Sequence, residues 1–115
     1  MPDGPDPEAL RVAKLFVDRI RADYPIVRAL LYGSRARGDA RPDSDLDVAL
    51  ILSGPKGRAI DVGPEMTGKG FEVALENNVF ISPLPIWEED WREPERHSNP
   101  WLVLNVQREG VVVDS

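Results

Sequence analysis

Between Gly33 and Asp47 the sequence reads GSRARGDARPDSDLD, a segment dense in groups able to bind phosphate and metal. Asp45 and Asp47 are two residues apart and lead into the apolar run LDVALIL at 46–52. On a β-strand that spacing points both carboxylates to one face, with Cα atoms about 6–7 Å apart at a rise of roughly 3.3 Å per residue. Two carboxylates so placed can hold one Mg²⁺, or flank a pair of ions on the order of 4 Å apart. Asp47 also sits inside a hydrophobic run, where an unpaired carboxylate is costly and a cation would offset the cost. The alternative is that Asp43 and Asp45 cap a turn while Asp47 pairs with a nearby arginine. Asp43, between Pro42 and Ser44, reads as turn chemistry, and so does Asp39.

The other half of the segment is a Gly-Ser turn directly after the apolar run IVRALLY at 26–32. Gly33 lets the chain turn sharply and lets a ligand approach the main chain. Ser34 adds a hydroxyl. The exposed N–H groups of 34–37 could open a short helix, a natural place for phosphate oxygens. Taken alone, Gly-Ser followed by Arg is as compatible with a plain solvent turn. Arg35, Arg37 and Arg41 fall within seven residues, beside four aspartates. That mixed cluster suits a polyphosphate carried with its metal better than a long nucleic acid.

The surrounding elements must position these groups. Residues 1–6 read as a disordered tail and 7–115 as one domain. Asp6 can cap a helix with Pro7 at its first position, and Leu10, Ala13, Val17 and Ile20 recur at helical spacing, predicting a helix over 7–23. Residues 26–32 and 46–52 are nearly continuous apolar, as expected of strands covered on both faces. SGPKG at 53–57 is a loop. In 58–78, Phe71, Ala74 and Leu75 fit a helix near 70–77, while Gly63, Pro64, Gly68 and Gly70 imply broken or mobile structure before it. A third strand opens at Val79, and Pro83 and Pro85 demote its end to an edge or exit loop. Ser98 can cap a last helix that ends at Glu109-Gly110, and Val111 to Val113 form a short final strand. The order predicts an α/β (α+β) fold, a small mixed sheet of about four strands with helices packed on it.

Bulk properties bound the function. The 115 residues fit one core, and a 42% hydrophobic content argues against wholesale disorder. With no cysteine there is no disulfide framework, thiolate metal site or Cys nucleophile. The N-terminus lacks a signal-peptide pattern, and no apolar run approaches the roughly 20 residues that span a bilayer. The protein therefore reads as soluble and cytoplasmic, without a membrane partner. A net charge of −6 disfavours a broad basic face and direct nucleic-acid binding. His97 reads as a surface or capping residue. Trp87, Trp91 and Trp101 read by default as core cover, with partner docking as the alternative.

Gly33-Ser34, Ala36-Arg37-Gly38 and Ser44-Asp45-Leu46-Asp47 resemble the signature of the polymerase-β-like nucleotidyltransferases, most closely the stand-alone minimal nucleotidyltransferase (MNT) group. The match is close over 30–52, and the REGVVV ending agrees with it. The resemblance implies a polymerase-β-like fold and transfer of a nucleoside monophosphate, AMP above all, from ATP or another NTP to an acceptor hydroxyl. It implies that Gly33 and Ser34 hold the β- and γ-phosphates, that Asp45 and Asp47 are catalytic and bind Mg²⁺, and that Arg37, with Arg35 as a second candidate, lies against the phosphates or braces the loop. It also implies an antitoxin-type role with a small helical HEPN-domain partner carrying the acceptor, and a homo-oligomer is compatible with it. Active members usually carry a third carboxylate on a later strand. Phe80 or Ile81 occupies the expected position here. Glu72 and Glu76 read as solvated helix surface, and Glu88, Glu89 and Asp90 as exposed or capping groups. The alternative reading is therefore a catalytically inactive nucleotide- or partner-binding subunit with the same fold.

Overall fold

The structure of the protein, a computed structural model, describes residues 4–113. Its first element, α1, spans Pro7–Ile20 and is capped by Asp6, whose side chain accepts from the Glu8 N–H. A single 3₁₀ turn at Arg21–Asp23 follows, so the helical pattern read over 7–23 is present with a tightened end. Ala9, Val12, Ala13, Phe16, Val17 and Ile20 form its buried face. Phe16 and Ile20 are fully buried, each contributing about 1.5–3 kcal/mol of hydrophobic stabilisation.

Strands β1 (Ile26–Tyr32) and β2 (Leu46–Leu52) form at the expected residues. They pair antiparallel, with Tyr32 opposite Asp47. Strand β2 is covered on both faces, as its unbroken apolar run requires. Strand β1 is not: Val27 and Arg28 at its start are exposed, and burial begins at Ala29. The apolar run forms the strand, but its register with β2 slips between Ile26 and Arg28, where Val27 and Arg28 are exposed.

Strand β3 (Ile81–Trp87) lies parallel to β2 at one edge, and β4 (Val111–Val112) lies antiparallel to β1 at the other, giving the order β3-β2-β1-β4. The strand therefore begins later than Val79 and runs through both prolines rather than ending at them. Leu46 N–H donates to the Phe80 carbonyl at 2.9 Å. In a parallel ladder donors alternate in direction along the strand, so residues 82, 84 and 86 turn their amides to β2. Pro83 and Pro85 fall where an N–H would face outward, and their missing donors also blunt the edge against strand addition.

Between β2 and β3 the chain forms α3 (Ala59–Lys69) and α4 (Phe71–Glu76). Helix α3 replaces the broken segment expected from Gly63, Pro64 and Gly68. Tertiary packing overrides its poor propensity: Met66 is fully buried and Gly63 lies against Pro83 and Pro85. At Gly70 the chain bends closely past Phe16, whose ring occupies the space of any added Cβ. That bend rotates α4 so that Val73 is buried, whereas Phe71 and Leu75 are 58% and 67% exposed. Two helices follow β3, α5 (Glu88–Arg92) and α6 (Pro100–Glu109). The cap of α6 is Asn99 and not Ser98, because Pro100 takes the first helical position and the cap must immediately precede it.

The sheet divides two cores. On one face Ala29, Leu31, Leu46, Val48, Leu50 and Leu52 pack with α1, Met66 and Val73. On the other Leu30, Ala49, Ile51 and Ile86 pack with Val103 and Val106 of α6. Trp87 is buried and Trp91 packs on the second core, but Trp101 is 76% exposed and covers neither. His97 uses Nδ1 to accept from the Asn99 N–H at 2.9 Å, a local turn contact. Among the described residues no helix is long and apolar enough to cross a membrane.

One acidic residue departs from expectation. Asp90 is 1% exposed, neither on the surface nor capping a helix through a hydrogen bond. Lys56 Nζ lies 2.8 Å from its Oδ2, and this ion pair ties the 53–57 loop to α5. The Lys56 side chain is 40% exposed but that of Asp90 is buried, so removing the lysine leaves a buried, uncompensated carboxylate. Lys56→Ala should therefore lower stability by about 3 kcal/mol in urea denaturation. Adding Asp90→Leu should recover most of that loss. A double variant no more stable than Lys56→Ala would show that the pair matters through packing instead.

Candidate active site

At one end of the sheet β1 finishes, β2 and β3 begin, and α6 finishes. The segment between β1 and β2 folds as a four-residue helix, α2 (Ser34–Arg37), entered through Gly33. Gly33 has φ 77° and ψ −157°, a conformation that side chains rarely adopt. A Cβ built there would stand 2.5 Å from Asp47 Oδ2. Gly33 is thus demanded twice, by its backbone and by the carboxylate packed against it.

Asp47 is the second residue of β2 and half-buried, flanked in register by Tyr32 on β1 and Ser82 on β3. Its carboxylate accepts no hydrogen bond from, and forms no ion pair with, any described residue. Its pKa is pushed up to about 6, chiefly by burial and then by the charge of Asp45, against the opposing pull of Arg37 and Arg35; Glu109 adds to the rise. Asp45 is exposed and lies one residue before the strand, in an extended lead-in rather than on the ladder. Its charge reaches Asp47, two residues further along the extended chain. Burial also raises the Tyr32 hydroxyl well above its ordinary value, followed by the charges of Asp47 and Glu109.

The arginines divide the tasks proposed for them. Arg35 braces the loop: its guanidinium donates to the Ser44 carbonyl at 2.7 and 3.2 Å and to the Pro42 carbonyl at 3.5 Å. It also stands 3.6 Å from Asp6. The 41–44 turn is closed from within by Arg41 N–H donating to Ser44 Oγ and Ser44 N–H donating to the Arg41 carbonyl, which leaves Asp43 as the exposed turn residue expected. Arg37 is half-exposed and meets Asp39 at 3.3 Å and Glu109 at 3.2 Å. Neither arginine pairs with Asp47, so that alternative is not realised.

Two further corrections concern the phosphate and metal groups. Of the N–H groups of 34–37, those of Ala36 and Arg37 donate to the Gly33 carbonyl. The amides of Ser34 and Arg35, with the Ser34 hydroxyl, are the donors that no described residue takes up. Neither Phe80 nor Ile81 holds the position beside Asp47. That place belongs to Ser82, because β3 begins at residue 81 and its register sets Ser82 opposite Asp47. Glu72 pairs with Arg19 on the surface at 2.7 Å.

The residue missed by inspection of the sequence is Glu109, which reads there only as a helix end. Its Oε1 accepts from the Gly33 N–H at 3.2 Å, and both of its oxygens accept from Arg37 Nη1 at 3.2 and 3.3 Å. The signal lies in the register: Leu31 opposes Val111 and Leu30 opposes Val112, so continuing two residues back along β4 brings residue 109 level with Gly33.

Asp45 and Asp47 supply hard oxygen donors, and among the described residues no group of three or more His, Cys, Asp or Glu could hold a metal by itself. That donor set fits Mg²⁺, which commonly takes one or two carboxylates and completes its shell with substrate phosphates and water. The half-buried Asp47 carboxylate, without a cationic partner, points the same way.

Because folding raises the Asp47 pKa above the unfolded value of about 3.9, its contribution is fully present below that pH. It is lost as pH rises through about 6. Asp47→Asn should consequently melt above the wild type at pH 8 in a divalent-free buffer, and the gap should close toward pH 4. A gap of equal size at both pH values would show that burial does not strain this carboxylate.

A family model described as "Nucleotidyltransferase domain" matches residues 13–109. Among solved structures, the chain is similar to a candidate nucleotidyltransferase from Sulfolobus solfataricus with a TM-score of 0.60 and 20% sequence identity, over 91% of this chain and 78% of that one. No curated protein matches the chain in sequence. The structural likeness supports the mixed α/β fold, consistent with the polymerase-β-like fold expected, and the family match, running from within α1 to the end of α6, carries the activity class. The chain belongs to the nucleotidyltransferase domain family, and nucleotidyl transfer is its general function.

Proposed function

We propose that the protein transfers a nucleoside monophosphate, AMP above all, from a Mg²⁺-bound NTP to an acceptor hydroxyl. The observation that carries this reading is Asp47: a half-buried carboxylate without a protein partner, packed against the Gly33 turn. Asp45 and Asp47 would hold the metal, which when bound neutralises developing phosphate charge and orients the triphosphate. The free donors of Ser34 and Arg35 and the half-exposed guanidinium of Arg37 would meet the phosphate oxygens. The acceptor oxygen attacks the α-phosphorus, the bond to the bridging α–β oxygen breaks, and pyrophosphate leaves while the hydroxyl proton passes to solvent or a base. Such a reaction asks for positioning and charge neutralisation more than covalent help.

The MNT resemblance supports an acceptor carried by a small helical HEPN-type protein, in an antitoxin-type module within the cytoplasm. A second reading has its own observation. Ser82 stands beside Asp47 where active relatives carry a third carboxylate, and a serine hydroxyl is a poor metal ligand and base at neutral pH. This favours a subunit that binds nucleotide or a partner without turnover.

Calorimetric titration with a non-hydrolysable ATP analogue should show binding that requires Mg²⁺ and is lost in the Asp45→Asn/Asp47→Asn variant. Radiolabelled ATP with a co-expressed helical partner should then yield a labelled product. Transfer that persists in the double variant would sink the catalytic assignment. Metal-dependent binding without product on any acceptor would favour the inactive subunit, and absence of binding would remove the nucleotide site itself.

A further inference from the structure

Glu109 stands outside the Gly-Ser and Asp-x-Asp motifs, yet it joins the turn of one to the arginine beside the other. Its position is set by elements that cannot easily move. Val103 and Val106 anchor α6 in the second core, Gly110 N–H donates to the Val106 carbonyl at 2.8 Å, and β4 is paired to β1 immediately afterwards. The Glu109 side chain is 21% exposed, whereas that of Arg37 is 47% exposed. Of the two partners the acid is the fixed one, so it decides where the guanidinium points.

The donors of Arg37 complete the argument. Nε is engaged by Asp39 at 3.3 Å and Nη1 by both oxygens of Glu109 at 3.2 and 3.3 Å. Nη2 is the nitrogen for which no described residue provides an acceptor. The two carboxylates thus hold the guanidinium from its two sides and leave the Nη2 N–H groups at its tip for a further oxyanion. The same Glu109 carboxylate satisfies the Gly33 N–H, holding the turn at the strained dihedrals that admit Asp47. Glu109 is not itself a third metal ligand, since it forms no metal-holding group with Asp45 and Asp47.

We infer that Glu109 is a positioning residue of the nucleotide site: it aims Arg37 at the triphosphate and pins the Gly33 turn. The inference rests on the nucleotide reading proposed above. Its rival is that Glu109 occupies the phosphate's place and competes with it, which reverses the sign of the effect of removing its charge.

The test uses inorganic triphosphate and a non-hydrolysable ATP analogue, each with Mg²⁺, titrated into the wild type, Glu109→Gln, Arg37→Ala and the double variant. Glutamine retains an oxygen for the Gly33 N–H and removes the charge facing Arg37. Glu109→Gln should weaken both ligands about tenfold, the scale of one charge-assisted hydrogen bond, with a melting temperature near the wild type. In the Arg37→Ala background the same substitution should have no further effect, which a merely structural role would not produce. Tighter binding by Glu109→Gln, unchanged binding, or an equal loss in both backgrounds would each overturn the inference. If the wild type binds neither probe, the nucleotide reading fails and takes this inference with it. Binding by the wild type with any of the three contrary results removes the role of Glu109 alone.

Discussion

The half-burial of Asp47 is the constraint around which this molecule is arranged. An ionised carboxylate at the head of an apolar strand loses hydration that no hydrogen bond from a described residue replaces. Its pKa of about 6 records that cost. The nearby cations relieve it only in part. Arg35 is committed to the carbonyls of the 42–44 turn and to Asp6, and Arg37 is held by Asp39 and Glu109. The described residues compensate it incompletely, and a divalent cation carried by a polyphosphate is the compensation proposed above. The same carboxylate also fills the space that a side chain at position 33 would need, so one residue sets the chemistry and the shape of the turn.

The sheet brings these groups together through its mixture of directions. Because β1 and β2 are antiparallel while β2 and β3 are parallel, the end of β1 and the starts of β2 and β3 lie at one edge of the molecule. The antiparallel β4 then returns the C-terminal end of α6 to that edge. Four segments far apart in sequence supply Gly33, Asp47, Ser82 and Glu109. Prolines at outward positions of β3 keep its open edge from pairing further, and the two cores fix α1 and α6 on opposite faces.

Much of this was legible from local pattern. The helical spacing from Leu10 to Ile20 and the runs IVRALLY and LDVALIL are strong, short-range signals, and those elements form where the pattern puts them. Helix α3 was not legible, because Gly63, Pro64 and Gly68 argue against it locally while the burial of Met66 argues for it only after folding. The exposure of Trp101 and the burial of Asp90 were hidden for the same reason. Burial is a property of what lies opposite a residue, and spacing along the chain does not contain it.

The sequence by itself determined the family, the α/β class with a small mixed sheet, and the local parts of the site: a Gly-Ser turn, two aspartates at strand spacing and a cluster of arginines. Each of these depends on neighbours within a few residues, where backbone geometry turns spacing directly into position. The tertiary structure decided which arginine braces and which faces outward, that Ser82 holds the place beside Asp47, and that Glu109 closes the site from the far end of the chain. Those outcomes depend on strand register and helix docking, long-range pairings set by the packing of two cores on one sheet.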